Sequence, residues 1–373
     1  MKTNKSIPFA NLHAQHFTLR KEIDSAIFNI VEKSAFIRGP DIEYFEESFA
    51  KAIGTNHCIS CANGTDALYI AMKALGVGHG DEVITTAHSW ISTSEAITQT
   101  GARVVFCDVN SDDFLLDTSK VERLITKKTK GIIPVHLFGQ AVDMDPLMKM
   151  AKNHNLWVLE DCAQAHFATY KGNMVGTIGD IATFSFYPGK NLGAMGDAGC
   201  IVTDRTDLSE HAKLFARHGG KGEHLIEGIN SRMDTIQAAI LNIKLSYIAE
   251  WTNLRRSAAA TYNRLLSEFD KITRPTENSY NKHVYHLYVI KTQKRDELKK
   301  YLQSQGIQTV INYTKALPFY KAYEYLEHKP EDFPNAFNNQ SKILSIPIYP
   351  EIPYGDQKYI VSKIQDFHSL KDK

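Results

Sequence analysis

The chain lacks a dominant charge: 43 Lys and Arg stand against 42 Asp and Glu, a formal net charge of +1. Without a basic field to hold nucleic acid or an acidic membrane, a small-molecule partner is expected. No run approaches the roughly 18 apolar residues of a membrane span. The opening MKTNKSIPFANLHAQ has no continuous apolar core of signal-peptide length, so a cytoplasmic location is the expectation. Cysteine is scarce and odd in number, with five residues at Cys58, Cys61, Cys107, Cys162 and Cys200. All five lie in apolar, strand-like runs, which argues for buried thiols rather than a disulfide framework. Cys58 and Cys61 form a C-x-x-C, but no second pair or His pair follows at zinc-ligand spacing, so no metal is expected. Internal repeats and low-complexity linkers are absent as well.

What is present is an ordinary globular composition, 43% hydrophobic and 23% charged over 373 residues, enough for two domains sharing one site. From about residue 57 to 204, seven β-rich runs can be read: HCISCA, EVITTA, RVVFCDV, GIIPVHLFG, LWVLEDCA, IATFSFYP and GCIVTD. Helix-length segments such as DALYIAMKALG, ISTSEAITQTG and DPLMKMAKNHN separate the earlier ones, the rhythm of an α/β fold with a mostly parallel sheet. The last two runs follow too closely for a crossover helix, so part of the sheet is expected to be antiparallel. A helix over LSEHAKLFARHG and a long helical tract from about 233 to 269 come next. A smaller α+β unit follows, with strands in HVYHLYVIKT and QTVINY and helices in RDELKKYLQSQG and DQKYIVSKIQDF. RPTENSYNK, residues 274–282, reads as a surface loop. The expected division is a large domain over 1–250 and a small C-terminal domain over 251–373.

Ligands of an open parallel sheet collect at the carboxyl ends of its strands. After the first run, Asn63-Gly64-Thr65-Asp66 leads into a helix; Gly64 permits a tight turn, and backbone amides with the Thr65 hydroxyl can face a phosphate. Thr65 or Asp66 could equally be a plain helix cap. Trp90 follows the second run, free either to stack on a flat ring or to fill the core. Asp161 ends LWVLE, with Gln164 and His166 just beyond; such an Asp often simply starts a turn. Ser185 and Lys190 lie in SFYPGKNLGAMGDAG, where Pro188, Gly189, Gly193 and Gly196 impose a shaped loop. An arbitrary lysine is a solvated surface charge. One held on such a loop past a buried strand can have a lowered pKa and form an imine.

SFYPGKNLGAMGDAG, LEDCAQAH and ANGTDAL together resemble the DegT/StrS-type nucleotide-sugar aminotransferases. The likeness extends through IPFANLHAQ, FIRGPDIEYFEESFA, GDEVITTAHSWISTSEAI, GINSRMDTIQAAIL and HVYHLYVI. It implies a pyridoxal 5′-phosphate (PLP) enzyme of fold type I, a homodimer whose sites lie between subunits. By the same resemblance Lys190 carries PLP as a Schiff base, Asp161 partners its pyridinium nitrogen, Trp90 stacks on its ring and Gln164 meets its phenolic oxygen. Gly64, Thr65, the adjacent amide of Asp66, and Ser185 hold the phosphate, and Asn230 reaches it from the neighbouring subunit. The implied reaction moves an amino group from L-glutamate to a nucleotide-linked keto sugar, with C3 of a dTDP-3-keto-6-deoxyhexose preferred. Amination at C4 of a dTDP-, UDP- or GDP-4-keto sugar is the alternative. Arg38, Arg217, His218 and Arg232 are candidates for the donor carboxylate or the diphosphate, and His166 and Tyr313 for further substrate contacts. INYTKALPFYKAY departs from the family in lacking a His shortly after Tyr-Pro, which bears on Tyr313.

Three other readings are weaker. A sugar dehydratase of the same fold carries His where Lys190 stands. A PLP-binding regulator without turnover would have no use for Lys190, Asp161 and Trp90 together. A nicotinamide-dependent dehydrogenase calls for a G-x-G-x-x-G after the first strand, and none is there.

Overall fold

The computed structural model describes residues 5–220 and 222–371. Three helices open it: α1 (Leu12–Thr18), α2 (Arg20–Glu32) and α3 (Pro40–Ile53). Pro40 starts α3, and Gly54, left-handed at φ 95°, ends it. Its buried residues Ile42, Phe45, Phe49 and Ile53 recur every three or four positions, so one stripe faces inward.

All seven expected runs form one sheet. Five come first: β1 (His57–Cys61), β2 (Glu82–Thr86), β3 (Arg103–Cys107), β4 (Thr129–Ile133) and β5 (Trp157–Asp161). A small hairpin, β6 (Thr169–Tyr170) with β7 (Asn173–Met174), precedes β8 (Ile181–Ser185) and β9 (Gly199–Thr203). The order is β1-β9-β8-β5-β4-β2-β3. β9 runs antiparallel to both its neighbours and the other ladders are parallel, as the short β8–β9 connection requires. Helices α4 (Gly64–Ala74), α5 (Ser92–Gln99) and α6 (Met144–Asn153) fill crossovers, whereas β3 and β4 are joined through short 3-10 turns.

Beyond the sheet come α7 (Thr206–Phe215), α8 (Thr235–Leu245) and α9 (Ile248–Leu265). The tract expected as continuous from 233 to 269 is therefore broken at Ser246 and Tyr247. Strand β10 (Asn281–Lys282) pairs with β6, so the end of the segment expected as a surface loop instead adds a strand to the hairpin. β11 (Tyr288–Lys291), α10 (Arg295–Ser304), α11 (Pro334–Gln340), β12 (Ile343–Ile346) and α12 (Tyr354–Lys371) complete the chain. QTVINY is not a strand: Val310 alone makes a bridge, to Ser345, before the chain turns at Asn312.

Three buried clusters result. One lies on the α3, α6 and α8 side of the sheet and a second on the α4, α5 and α7 side. The third joins α9, α10 and α12 to β11 and β12. α9 links them, with Ile248 and Trp251 in the first and Ala258, Ala259 and Tyr262 in the third. Residues on both sides of 250 share cores: Ile7 packs in the third cluster, and Leu317, Tyr323 and Phe333 pack in the second. Among the described residues, no helix is long and apolar enough to cross a membrane.

Candidate functional site

The loop between β8 and β9 leaves and returns to the sheet at a paired position, Ser185 opposite Gly199. Within it the Lys190 amide donates to the Tyr187 carbonyl at 2.8 Å, and the Ala194 amide to the Phe186 carbonyl at 2.7 Å. A Cβ at Gly193 would lie 2.4 Å from the Pro188 carbonyl oxygen, so only glycine lets the loop double back here. Lys190 is half-buried on this loop. Burial pushes its ammonium down to about 8, against the pull of the Asp161 carboxylate. Such a lysine has roughly a tenth of its molecules neutral and nucleophilic at pH 7. The rate at which cofactor-free protein captures PLP should accordingly rise with pH through a midpoint near 8. A stopped-flow pH series reading the visible band checks this, and a midpoint near the free-lysine value would contradict it.

Asp161, 4% exposed at the end of β5, is fixed on both oxygens. Thr93 donates to Oδ2 at 2.8 Å and the Ala163 amide to Oδ1 at 3.1 Å. Burial raises its pKa, while Thr93, the Ala163 amide and Lys190 oppose that rise. Beneath it, the buried Glu160 accepts from the amides of Gly176, Ile178 and Gly179 and pairs with His136 Nε2 at 2.9 Å. Its lone pairs are thus committed to His136 and three backbone amides, and the Cys162 thiol lies within 4.8 Å of this pair.

Gln164 sits nearby, accepting from the Phe138 amide at 2.8 Å and donating to the Tyr313 hydroxyl at 2.7 Å. Tyr313 leans on Trp90 with ring centroids 5.5 Å apart, and Trp90 is 56% exposed, so its face is available rather than spent in the core. Across the strand ends, Gly64 opens α4 directly against Ser185: an added Cβ would lie 2.6 Å from the Ser185 Cβ. Thr65 Oγ1 shares a 2.6 Å hydrogen bond with Ser92 Oγ.

The Asp66 amide is not available to a phosphate as expected, because it donates to the capping side chain of Asn63 at 2.8 Å. The first-turn amides of Gly64 and Thr65 are the ones with no place in the helix ladder. The Asp66 carboxylate serves elsewhere, accepting from Ser231 at 2.6 Å and so tying the segment that carries Asn230 to the start of α4. Asn230 itself is exposed and bridges backbone to backbone with Arg217.

His166 is placed differently from the expectation. Fully buried between Phe184 and Phe186, with centroids 5.4 and 5.6 Å away, it cannot touch a substrate in the open site. Burial first, then Lys190, pushes its imidazole down to about 3, so it is a neutral neighbour behind the lysine. Arg217 lies 3.8 Å from Glu46, its pKa lowered by burial and by the charge of Arg38. Arg38 and His218 both hold left-handed backbone, at φ 62° and 55°, a conformation non-glycine residues rarely keep without a constraint. Arg232 is exposed on the same stretch of chain as Asn230. Sequence reasoning passed over Thr93, Ser231 and Asn191, all common residue types without a motif. Asn191 follows Lys190 and anchors the loop to the Val284 carbonyl at 3.2 Å.

This set of groups suits PLP. The start of α4 with Ser185 offers donors for a phosphate, Asp161 a buried carboxylate, Trp90 an aromatic face and Lys190 a depressed amine. Known proteins agree. A family model described as the DegT/DnrJ/EryC1/StrS aminotransferase family matches residues 18–365. The chain is 42% identical to a protein of Geobacillus stearothermophilus named pleiotropic regulatory protein, covering 97% of this chain and 99% of the relative. It is 40% identical to the dTDP-3-amino-3,6-dideoxy-alpha-D-galactopyranose transaminase of Aneurinibacillus thermoaerophilus, again over 97% and 99%. The crystal structure of S. venezuelae DesV in complex with a ketimine intermediate superposes with a TM-score of 0.94 at 36% identity, covering 97% of this chain and 98% of that one. The chain belongs to the DegT/DnrJ/EryC1/StrS aminotransferase family, and it is a PLP-dependent aminotransferase of fold type I.

Proposed function

We propose that this enzyme transfers the amino group of L-glutamate to a nucleotide-linked keto sugar, at C3 of a dTDP-3-keto-6-deoxyhexose, in the cytoplasm. The observation that carries the reading is the convergence of Lys190, with its depressed pKa, and the doubly held Asp161 at neighbouring strand ends. The choice of sugar rests on the Aneurinibacillus relative, whose name specifies a 3-amino-dideoxy sugar on dTDP.

When bound, PLP supplies the electron sink that makes the donor's α-proton removable. Lys190 would anchor it, and its amine would act as the base that moves the proton at the donor's α-carbon. Asp161 would keep the pyridine nitrogen protonated, and Thr93 and the Ala163 amide hold that carboxylate in place. Trp90 would cover the ring, Gln164 would orient its phenolic oxygen, and Gly64, Thr65 and Ser185 would hold the phosphate. Arg38 and Arg217 offer cationic groups for a carboxylate or diphosphate. In the sugar half of the reaction the Lys190 amine would deliver the proton to the former ketone carbon, and by displacing the amino sugar it would return to holding the cofactor.

A second copy of the chain completes the site in this reading. Phe28, Ile37 and Tyr44 on the opening helices and their connection are 63%, 50% and 62% exposed, an apolar surface that a partner would cover. Asn230 would then reach the neighbour's phosphate. Incubation with glutamate and a panel of nucleotide-linked keto sugars should yield amino sugar, with the dTDP-3-keto substrate preferred at least about tenfold. A preferred 4-keto sugar would move the assignment to C4. No product from any pair would favour the non-catalytic regulator, the reading to which the Geobacillus relative's name points.

A further inference from the structure

Lys244 is a fully buried lysine. It sits on α8, packed against α2 and α3, and is 0% exposed. An ammonium in such a place is costly unless hydrogen bonds replace its hydration, and an apolar side chain of similar length would suit the core better. Two contacts account for it. Nζ donates to the Gly193 carbonyl at 2.6 Å and to His16 Nε2 at 2.9 Å.

Both partners are informative. Gly193 lies three residues beyond Lys190, at the point where the loop doubles back on Pro188. Its carbonyl faces the core, where no water would satisfy it, and Lys244 is the donor that does. α8 holds the loop a second time through Gln237, whose Oε1 accepts from the Met195 amide at 2.9 Å. His16 comes from α1, so the N-terminal arm closes over the lysine from the other side. Burial, then Lys244, then His13 push the His16 imidazole down to about 4, which keeps it neutral and able to accept.

We propose that Lys244 is a positioning residue for the aminotransferase site: its buried ammonium ties the Gly193 carbonyl to α8 and the arm, and so holds the Lys190 loop in reactive shape. The inference rests on Lys190 being the PLP-bearing lysine. Lys244 touches neither substrate nor cofactor, and it acts through the loop alone.

The experiment compares wild-type protein with Lys244→Met, which removes the charge and both hydrogen bonds while keeping an unbranched side chain. Amide hydrogen exchange over residues 186–198 is measured without cofactor, and it should quicken by about tenfold or more at Ala194. The pH midpoint for PLP capture should move up from about 8 toward the value of a hydrated lysine, because a looser loop admits water. In the holoenzyme kcat should fall about tenfold while the donor KM stays within about twofold, the signature of a misplaced reactive group rather than a lost binding contact. Wild-type exchange together with a wild-type midpoint would overturn the proposal and leave Lys244 a packing residue. If Lys244→Met does not fold, Lys244→Gln, too short to reach Gly193 but still polar, takes the same measurements with the same two outcomes. Failure of the Lys190 reading would show itself separately, as a visible cofactor band that survives Lys190→Ala; loop exchange does not depend on which lysine holds PLP.

Discussion

Lys190→Ala should lower turnover by about 10⁴-fold, the upper end of what a positioned proton carrier supplies, because in the proposed reading one side chain serves as covalent anchor and as base. The fold should survive. Lys190 is half-buried, and the loop around it is held by other groups: Asn191 on Val284, Ala194 on Phe186 and Lys244 on Gly193. The groups proposed to hold the phosphate, at Gly64, Thr65 and Ser185, are untouched, so PLP should still bind, without the visible band of the lysine-linked form. Single-turnover kinetics with glutamate, read beside that spectrum, separate the two roles. Turnover within about tenfold of wild type would mean that another lysine carries the proton.

The second large effect is expected at Asp161. Asp161→Asn preserves size and can still accept from the Ala163 amide, while the Thr93 hydroxyl can rotate to accept from the new amide group. What disappears is the negative charge. A neutral amide cannot hold a pyridinium proton, so the electron sink weakens, and kcat should fall by about 10²- to 10³-fold with cofactor still bound. The loss should appear in kcat rather than in the donor KM, since the carboxylate acts on the cofactor's electronics and not on substrate binding. An unchanged kcat would remove Asp161 from the mechanism and leave it a strand-end turn residue.

Both residues stand out in the sequence because each follows the end of a strongly patterned element. LWVLE and IATFS are apolar enough to read as buried strands, and the residues just past a buried strand of a parallel sheet face the ligand side. An antiparallel part of the sheet was equally legible, since the last two runs follow too closely for a crossover helix between them. Legibility failed where partners lie far away along the chain. QTVINY has strand-like residues, yet only Val310 finds a bridge partner, because strand pairing depends on a neighbour that local sequence does not specify. The helical tract of α8 and α9 carries no proline or glycine at Ser246 and Tyr247, so its break left no punctuation to read. Asp66 was expected to present its amide to an anion, but Asn63 claims that amide as a cap, a competition between two uses of one helix end. His166 looked like a site residue by its closeness to Asp161 in sequence. The chain turns after Asp161, and five residues on it has entered the aromatic core.

The pairing of Ser185 with Gly199 also bears on how the enzyme could be altered. Everything from Phe186 to Ala198 is an excursion that begins and ends at one rung of the β8–β9 ladder. A segment bounded in this way can be exchanged as a cassette: a loop of different length from a relative would re-enter the sheet at the same rung, with the strand order upstream and downstream unchanged. The loop proposed to carry the reactive amine is thus also a part that can be transplanted with little disturbance to the architecture. The limits on such a graft are set by the few grips on the loop, chiefly a carbonyl that Lys244 can reach and an amide that Gln237 can accept from.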